Sequence, residues 1–401
     1  MAVPQPVETE RPRAPRLPFA NAWFFPAAAI YAAAILPASV LMMLGLLPTF
    51  PGLATPAGHA HEMLFGFALA VVAGYLLGPQ PQRFTLTLLG CWLVARLGFL
   101  CWPASWLAIG GSLLFAVGLL WKVVPRFLGA AKKWRNQTVA PVVVGLGLVS
   151  LLASLGLDSS GPWRVPALLL FALLLFFMGG RIIAPAVAGH ALSEGRRLDA
   201  RVQPHIEGAV LLLLGFALGL SLLPWAPAER MVGGLLVGAG ALCTIRLLRW
   251  QPWRCRKRPD LLVLLLGYAW LALGLLLLGI ALGTGKVPLG GTLHALTVGA
   301  LGSLTFGVMA RTHLLYCLRD AMRSPGSTRS RCLSAWRPSR ACWLLRSAPS
   351  RSRGWFSRRL AGRWRSPSWR YCCCGPASRR AGRSVNRTRR ERGTLAPRPG
   401  L

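Results

Sequence analysis

The sequence predicts an all-α fold, a polytopic transmembrane helix bundle of about ten spans followed by an irregular Arg-rich tail. Of its 401 residues, 54% are hydrophobic and only 14% are charged, whereas soluble domains carry about 25% charged residues. Ten runs approach the length of about 20 mostly apolar residues that a membrane-spanning helix needs. The predicted domains are a cytoplasmic N-terminal segment over 1–19, a transmembrane helical domain over 20–320 and the tail over 321–401.

The ten apolar runs follow one another with short polar connections. They cover residues 22–47, 60–79, 85–102, 105–123, 139–157, 165–189, 208–226, 230–250, 260–283 and 290–310. Only Pro103 and Ala104 separate the third run from the fourth, which predicts a tight helical hairpin. Two runs contain small residues at four-residue spacing: Gly66, Ala70 and Gly74 in the second run, and Gly299, Ser303 and Gly307 in the tenth. This spacing predicts close helix packing.

The basic residues of the loops predict an orientation. Lys and Arg are enriched in loops on the cytoplasmic side of a membrane. Alternate loops, beginning with the N-terminal segment, hold most of them. The intervening loops hold almost none, with one basic residue in each of three loops: Arg164, Arg230 and Lys286. This alternation predicts ten spans with the N-terminus in the cytoplasm.

The formal net charge of +35 would by itself suggest a nucleic-acid partner. More than half of that charge comes from residues 321–401, and the rest marks the cytoplasmic loops, so we expect no nucleic-acid partner. The tail combines Arg and Ser with Trp and Cys, whereas disordered segments are poor in aromatic residues. We therefore expect a shifted reading frame near residues 322–330; the alternative is a genuine disordered tail.

The outer ends of two predicted spans carry the candidate metal ligands. His59, His61 and Glu62 open the second span, and His294 opens the tenth. Ionisable groups at membrane depth are costly and tend to be functional, so we predict a histidine layer in which Glu62 accepts a ring N–H. On a regular helix His59 and His61 point in nearly opposite directions, and we do not expect them to chelate one ion. Packed or capped histidines are the alternative.

A further charged residue, Arg181, lies in the inner part of the sixth predicted span. Pro185 removes the backbone hydrogen bond to the Arg181 carbonyl and bends the helix there. Two interpretations are open. Arg181 either extends to the inner interface or binds an anionic group of a cofactor or substrate.

Three motifs in order resemble the signatures of the NnrS family, over about residues 15–320. They are His-Ala-His-Glu-Met-Leu-Phe-Gly from His59, Gly-Arg-Ile-Ile-Ala-Pro from Gly180, and His-Ala-Leu-Thr-Val-Gly-Ala from His294 with Gly-Val-Met-Ala-Arg ending at Arg311. The sequence departs from the family where Leu-Tyr-Cys-Leu-Arg stands at 315–319 in place of Gly-His-Thr-Gly-Arg. The eleventh and twelfth spans typical of the family are also missing.

The resemblance implies a bacterial inner-membrane protein in the lipid bilayer that contains heme and copper and takes part in the response to nitric oxide and nitrosative stress. It implies His59, His61 and His294 as metal ligands, supported by Glu62, Arg181 and Arg311 in cofactor binding. A small molecule such as nitric oxide is the implied partner, and no catalytic step or oligomeric state is implied. The alternatives are a multi-span transporter or metal-handling permease and a cofactor-free scaffold.

Overall fold

Ten helices account for the ten predicted apolar runs. A computed structural model describes residues 18–130, 137–155, 163–223 and 226–323. Apart from residues at their edges, the predicted N-terminal segment and the Arg-rich tail lie outside this part of the chain, and so does the predicted change of reading frame. Within it, the regular structure is helical, with a single isolated bridge between Phe19 and Pro79.

The helices are numbered along the chain. They are α1 Asn21–Met43, α2 Pro56–Leu77, α3 Gln82–Cys101, α4 Trp106–Ala130, α5 Val139–Ser154, α6 Arg164–Ser193, α7 Pro204–Ser221, α8 Ala226–Arg249, α9 Pro259–Thr284 and α10, which comprises Leu289–His294, Ala295–Gly302 and Ser303–Arg323. Nine of these described helices are long and apolar enough to cross a membrane, and α5, with 16 residues, is shorter. The predicted all-α multi-pass membrane protein is confirmed.

Helices that follow one another along the chain pack together. The pairs α3–α4, α4–α5, α7–α8, α8–α9 and α9–α10 are in contact, and α3 and α4 form the predicted hairpin. Two helices are more enclosed than the others. In the most apolar 18-residue stretch, 78% of the residues of α2 and 72% of those of α6 are buried. These two inner helices carry His59, Glu62 and Arg181.

The predicted glycine positions are sites of close helix approach. A Cβ atom on Gly66 would lie 2.7 Å from the Tyr31 ring of α1. A Cβ on Gly299 would lie 2.7 Å from the Trp270 ring of α9. Real Cβ atoms do not approach other atoms this closely, so the absence of a side chain lets α2 pack on α1 and α10 pack on α9.

Three helices contain a π-helical segment, and each segment lies on one of the three sequence motifs. The segments are Glu62–Ala68 in α2, Gly179–Ile183 in α6 and Ala295–Gly302 in α10. A π segment rotates the following residues relative to a regular α-helix, and such segments often occur at functional sites. Regular-helix geometry therefore applies to α2 only up to Glu62, and His59 and His61 lie before that point.

Candidate functional site

A buried carboxylate, that of Glu62, lies at the centre of a polar network in the bundle. Glu62 is the first residue of the π segment of α2 and is fully buried. Its Oε1 accepts a hydrogen bond from Arg96 Nη1 at 2.8 Å, and its Oε2 accepts one from the Tyr31 hydroxyl. A buried charge is tolerated when it is paired and hydrogen-bonded in this way.

Sequence reasoning missed Arg96 and Tyr31. Arg96 lies in α3, is 2% exposed, and also donates from Nη2 to Ser112 Oγ of α4 at 3.2 Å. The signal that could have found it is simple: Arg96 is a charge inside an apolar run, and such a residue needs a partner at membrane depth. The sequence does not reveal which acid that partner is, because Glu62 lies 34 positions away.

His61 belongs to the same network. Its Nδ1 donates to Glu62 Oε1 at 3.0 Å, and its ring stacks on Phe99 with the centroids 3.8 Å apart. The second ring nitrogen, Nε2, lies 3.3 Å from Ser154 Oγ. Glu62 thus accepts a histidine ring N–H, as the sequence predicted. Both ring nitrogens of this buried side chain have protein partners.

His59 has a different environment. Its Nδ1 lies 2.7 Å from Ser39 Oγ, and that hydroxyl donates to the Leu36 carbonyl at 2.8 Å. Because the hydroxyl has only one proton, it must accept from His59, and Nδ1 carries the hydrogen. The lone pair of this half-buried imidazole is then on Nε2, the atom that can bind a metal.

His294 presents the same arrangement. Its Nδ1 lies 2.7 Å from the carbonyl oxygen of Gly290, one turn earlier in α10. A carbonyl can only accept, so Nδ1 carries the hydrogen, and in the neutral ring the lone pair is again on Nε2. His294 is exposed, and it is close enough to His59 for the two rings to interact electrostatically. The structure therefore places His59 and His294 at the same end of the bundle, within electrostatic range of each other.

No larger cluster of metal ligands occurs in the described part of the chain. Among those residues, no three His, Cys, Asp or Glu side chains are placed to hold a metal ion together. The free cysteines of α3 and α8, at Cys91, Cys101 and Cys243, and the buried Cys255 do not complete such a group. A metal held here by the described residues would therefore have fewer than three such ligands.

The two predicted arginines lie at the other end of the bundle. Arg181 lines a cavity together with Gly78, which directly follows the C-terminal end of α2. His59 lies near the N-terminal end of the same helix. At 1.5 Å per residue this places Arg181 roughly 28 Å from the His59 level. Arg311 donates to Asp260 at 2.6 Å. The structure does not bring these arginines to the histidines, and their part in cofactor binding stays a prediction.

A family model matches most of the chain. The family model described as NnrS protein matches residues 17–324, a range that contains all ten helices and the three motifs. No curated protein and no solved structure matches the chain. Because the family model covers well over half of the sequence, and the helices and motifs fall within it, the chain belongs to the NnrS family.

Proposed function

We propose that this NnrS-family membrane protein binds heme or copper through His59 and His294 and acts in the response to nitric oxide or nitrosative stress. The observation that carries the proposal is the presence of two imidazoles at one end of the bundle, each with its Nδ1–H held by a protein oxygen. Metal-binding histidines typically donate their second nitrogen in this way, which fixes the ring and its tautomer.

The donor set fits these metals. Neutral imidazole suits heme iron and copper. A heme needs only one or two ligands from the protein, because the porphyrin supplies the others, and the described residues offer two such histidines at one end of the bundle. When bound, heme iron supplies a centre that holds a diatomic molecule such as nitric oxide. The chain itself contributes the imidazole lone pairs and the oxygens that orient them.

An apolar cavity at membrane depth supports a small uncharged ligand. The cavity has a volume of about 50 Å³ and lies between α2, α6 and α10, where Val71, Phe171 and Leu301 are among its lining residues. A water molecule needs only about 10–15 Å³ measured in this way, so a diatomic gas fits. Nitric oxide is uncharged and enters such an apolar space from the lipid without a desolvation cost.

We further propose that the protein lies in the bacterial inner membrane with its N-terminus in the cytoplasm. The N-terminal segment and the loops at the α4–α5, α6–α7 and α8–α9 ends hold most of the basic residues. The positive-inside tendency supports placing them in the cytoplasm. The histidine pair then faces the outer side. Arg181 and Arg311 belong to the cytoplasmic half of the bundle.

An absorption spectrum of the purified full-length protein tests the function. We expect a Soret band or, from elemental analysis, bound copper, and we expect His59→Ala and His294→Ala each to diminish that signal. His205→Ala, which changes an exposed histidine at the other end of the bundle, is the matched control and should leave it unchanged. The proposal fails if neither heme nor copper co-purifies with the protein.

His61→Ala separates the predicted third ligand from the proposed pair. Because His61 is buried in the Glu62 network, we expect its replacement to lower thermal stability by more than the other two. Loss of the spectrum at unchanged stability would instead make His61 a ligand.

A further inference from the structure

A second feature lies at the end of the bundle opposite the histidines: a basic cavity of about 470 Å³ between α1, α2, α4, α6 and α10. Among the described residues that line it, Arg126 of α4 and Arg181 of α6 are charged, and none is a carboxylate. Asn21, Tyr75 and Thr312 add polar groups. The space therefore combines positive charge with hydrogen-bonding side chains.

Both guanidinium groups are held in position. Arg181 lies against two aromatic rings, 6.0 Å from the Phe127 centroid and 5.3 Å from that of Phe177. Arg126 donates from Nη1 to the Leu77 carbonyl at 3.1 Å. Since each side chain keeps further N–H donors, an oxyanion entering the cavity meets donors that are already positioned.

The backbone adds to the positive potential. α1 begins at Asn21 without a side-chain cap and without an acidic residue in its first turn. The N-terminal end of a helix carries a partial positive charge and favours anions. Asn21 lines the cavity, so this helix end faces the same space as the two arginines.

A glycine shapes the wall of the cavity. Gly78 has φ +64°, and a Cβ on it would lie 2.7 Å from Arg126 Nη1. A side chain here would be strained and would displace the Arg126 guanidinium. A glycine directly after the end of α2 therefore leaves room for the Arg126 guanidinium in the wall of the cavity.

We propose that this basic cavity binds a phosphate-class oxyanion between Arg126 and Arg181, either the headgroup of an anionic phospholipid or free phosphate. Basic pockets between transmembrane helices at the basic-loop end bind such headgroups, and paired guanidiniums match the geometry of phosphate. The site is separate from the histidine pair and does not rest on the proposed metal.

The test measures the melting temperature of purified full-length protein with two probes. The first probe is inorganic phosphate added in detergent, and the second is incorporation into nanodiscs of phosphatidylglycerol compared with phosphatidylcholine. Stabilisation by millimolar phosphate assigns a free anion, and stabilisation by phosphatidylglycerol alone assigns the headgroup. We expect Arg126→Gln/Arg181→Gln to weaken the responding interaction by about tenfold or more, because charge-assisted hydrogen bonds are lost.

Two further variants keep the outcome clear. Arg83→Gln/Arg249→Gln removes the same charge from exposed arginines outside the cavity lining and should respond like the unaltered protein. Should the glutamine variant of the cavity not fold, Arg126→Lys/Arg181→Lys keeps the charge and loses the forked geometry, and it should bind more weakly than the control. The proposal is overturned if the cavity variant and the control respond equally, or if the unaltered protein responds to neither probe.

Discussion

Arg96 and Glu62 form an ion pair in the interior of the bundle, with Nη1 and Oε1 2.8 Å apart and the two side chains 3% and 0% exposed. The pair joins α3 to the π segment of α2. Glu62 also receives the Tyr31 hydroxyl of α1 and the His61 ring. One carboxylate therefore fixes three helices at the level where the candidate ligand His59 enters α2.

Arg96→Gln is expected to lower thermal stability strongly. The substitution leaves the Glu62 carboxylate buried without its cation, and breaking one side of a buried ion pair costs about 3–5 kcal/mol. The melting temperature of purified protein in detergent measures the effect. Arg83→Gln, at an exposed position near the start of the same helix, should change it little, and an equal loss in the two variants would contradict the argument.

The double variant Glu62→Gln/Arg96→Gln tests whether the cost comes from the unpaired charge. With both charges gone, we expect a smaller loss than in Arg96→Gln alone, because no charge is then left buried without a partner. Additive losses in this cycle would show that the two side chains act independently.

Ser39→Ala is expected to weaken cofactor binding through His59. The hydroxyl accepts the Nδ1–H of His59, and losing such a partner of a metal-bound histidine lowers metal affinity about 10–100-fold. Heme or copper content after purification, with retention during dialysis, is the readout. Ser221→Ala removes a hydroxyl that donates to a carbonyl three residues earlier, as Ser39 does, but has no histidine partner. Equal cofactor content in both variants would contradict the prediction.

Hydropathy and loop charge predicted the fold well, because each helix that crosses the lipid must consist of a long run of apolar residues. All ten runs form helices, and the glycines at Gly66 and Gly299 make the predicted close contacts. The shortness of α5, which ends at Ser154, was not predicted. Residues 156 and 157 of that run lie outside the described part of the chain.

The candidate site was only partly predictable. Its histidines and Glu62 stand in a recognisable motif, whereas the partners of Glu62 depend on how distant helices meet, and composition does not determine that. The π segment starting at Glu62 changes the facing of the residues that follow it, and the hydropathy pattern does not reveal such a segment. The placement of His59 and His294 at the same end of the bundle was predictable, because the predicted topology begins both the second and the tenth span on the outer side.

Gly233→Ala is expected to destabilise the contact between α8 and α9. A Cβ at Gly233 would lie 2.5 Å from the Gly283 backbone nitrogen, and backbone cannot move aside as a side-chain end can. Overpacking of this kind costs about 1–3 kcal/mol. At the neighbouring Gly234 a Cβ meets nothing within 4 Å, and Ala there should be neutral or stabilising by up to about 1 kcal/mol. Similar melting temperatures for the two variants would contradict the packing.

Single added cysteines test the proposed orientation. Lys286→Cys places a thiol in the exposed α9–α10 connection, and Arg197→Cys places one in the exposed α6–α7 connection. In intact cells whose outer membrane has been permeabilised, a membrane-impermeant maleimide should label Lys286→Cys above the background of the unsubstituted chain. Labelling of Arg197→Cys should need disrupted cells. The reverse pattern would place the N-terminus and the basic loops outside the cytoplasm.

Arg311→Gln distinguishes an interhelical ion pair from a cofactor-binding role. Arg311 Nη1 lies 2.6 Å from Asp260 Oδ2, and both side chains are about one-fifth exposed. Asp260 keeps a second partner, Arg258, at 3.0 Å. Partly exposed pairs contribute about 0.2–1 kcal/mol, so we expect a slight loss of thermal stability and an unchanged heme or copper content. A fall in cofactor content at unchanged stability would instead assign Arg311 to the cofactor, as the family resemblance implies, and would require it to act from the end of the bundle opposite His59 and His294.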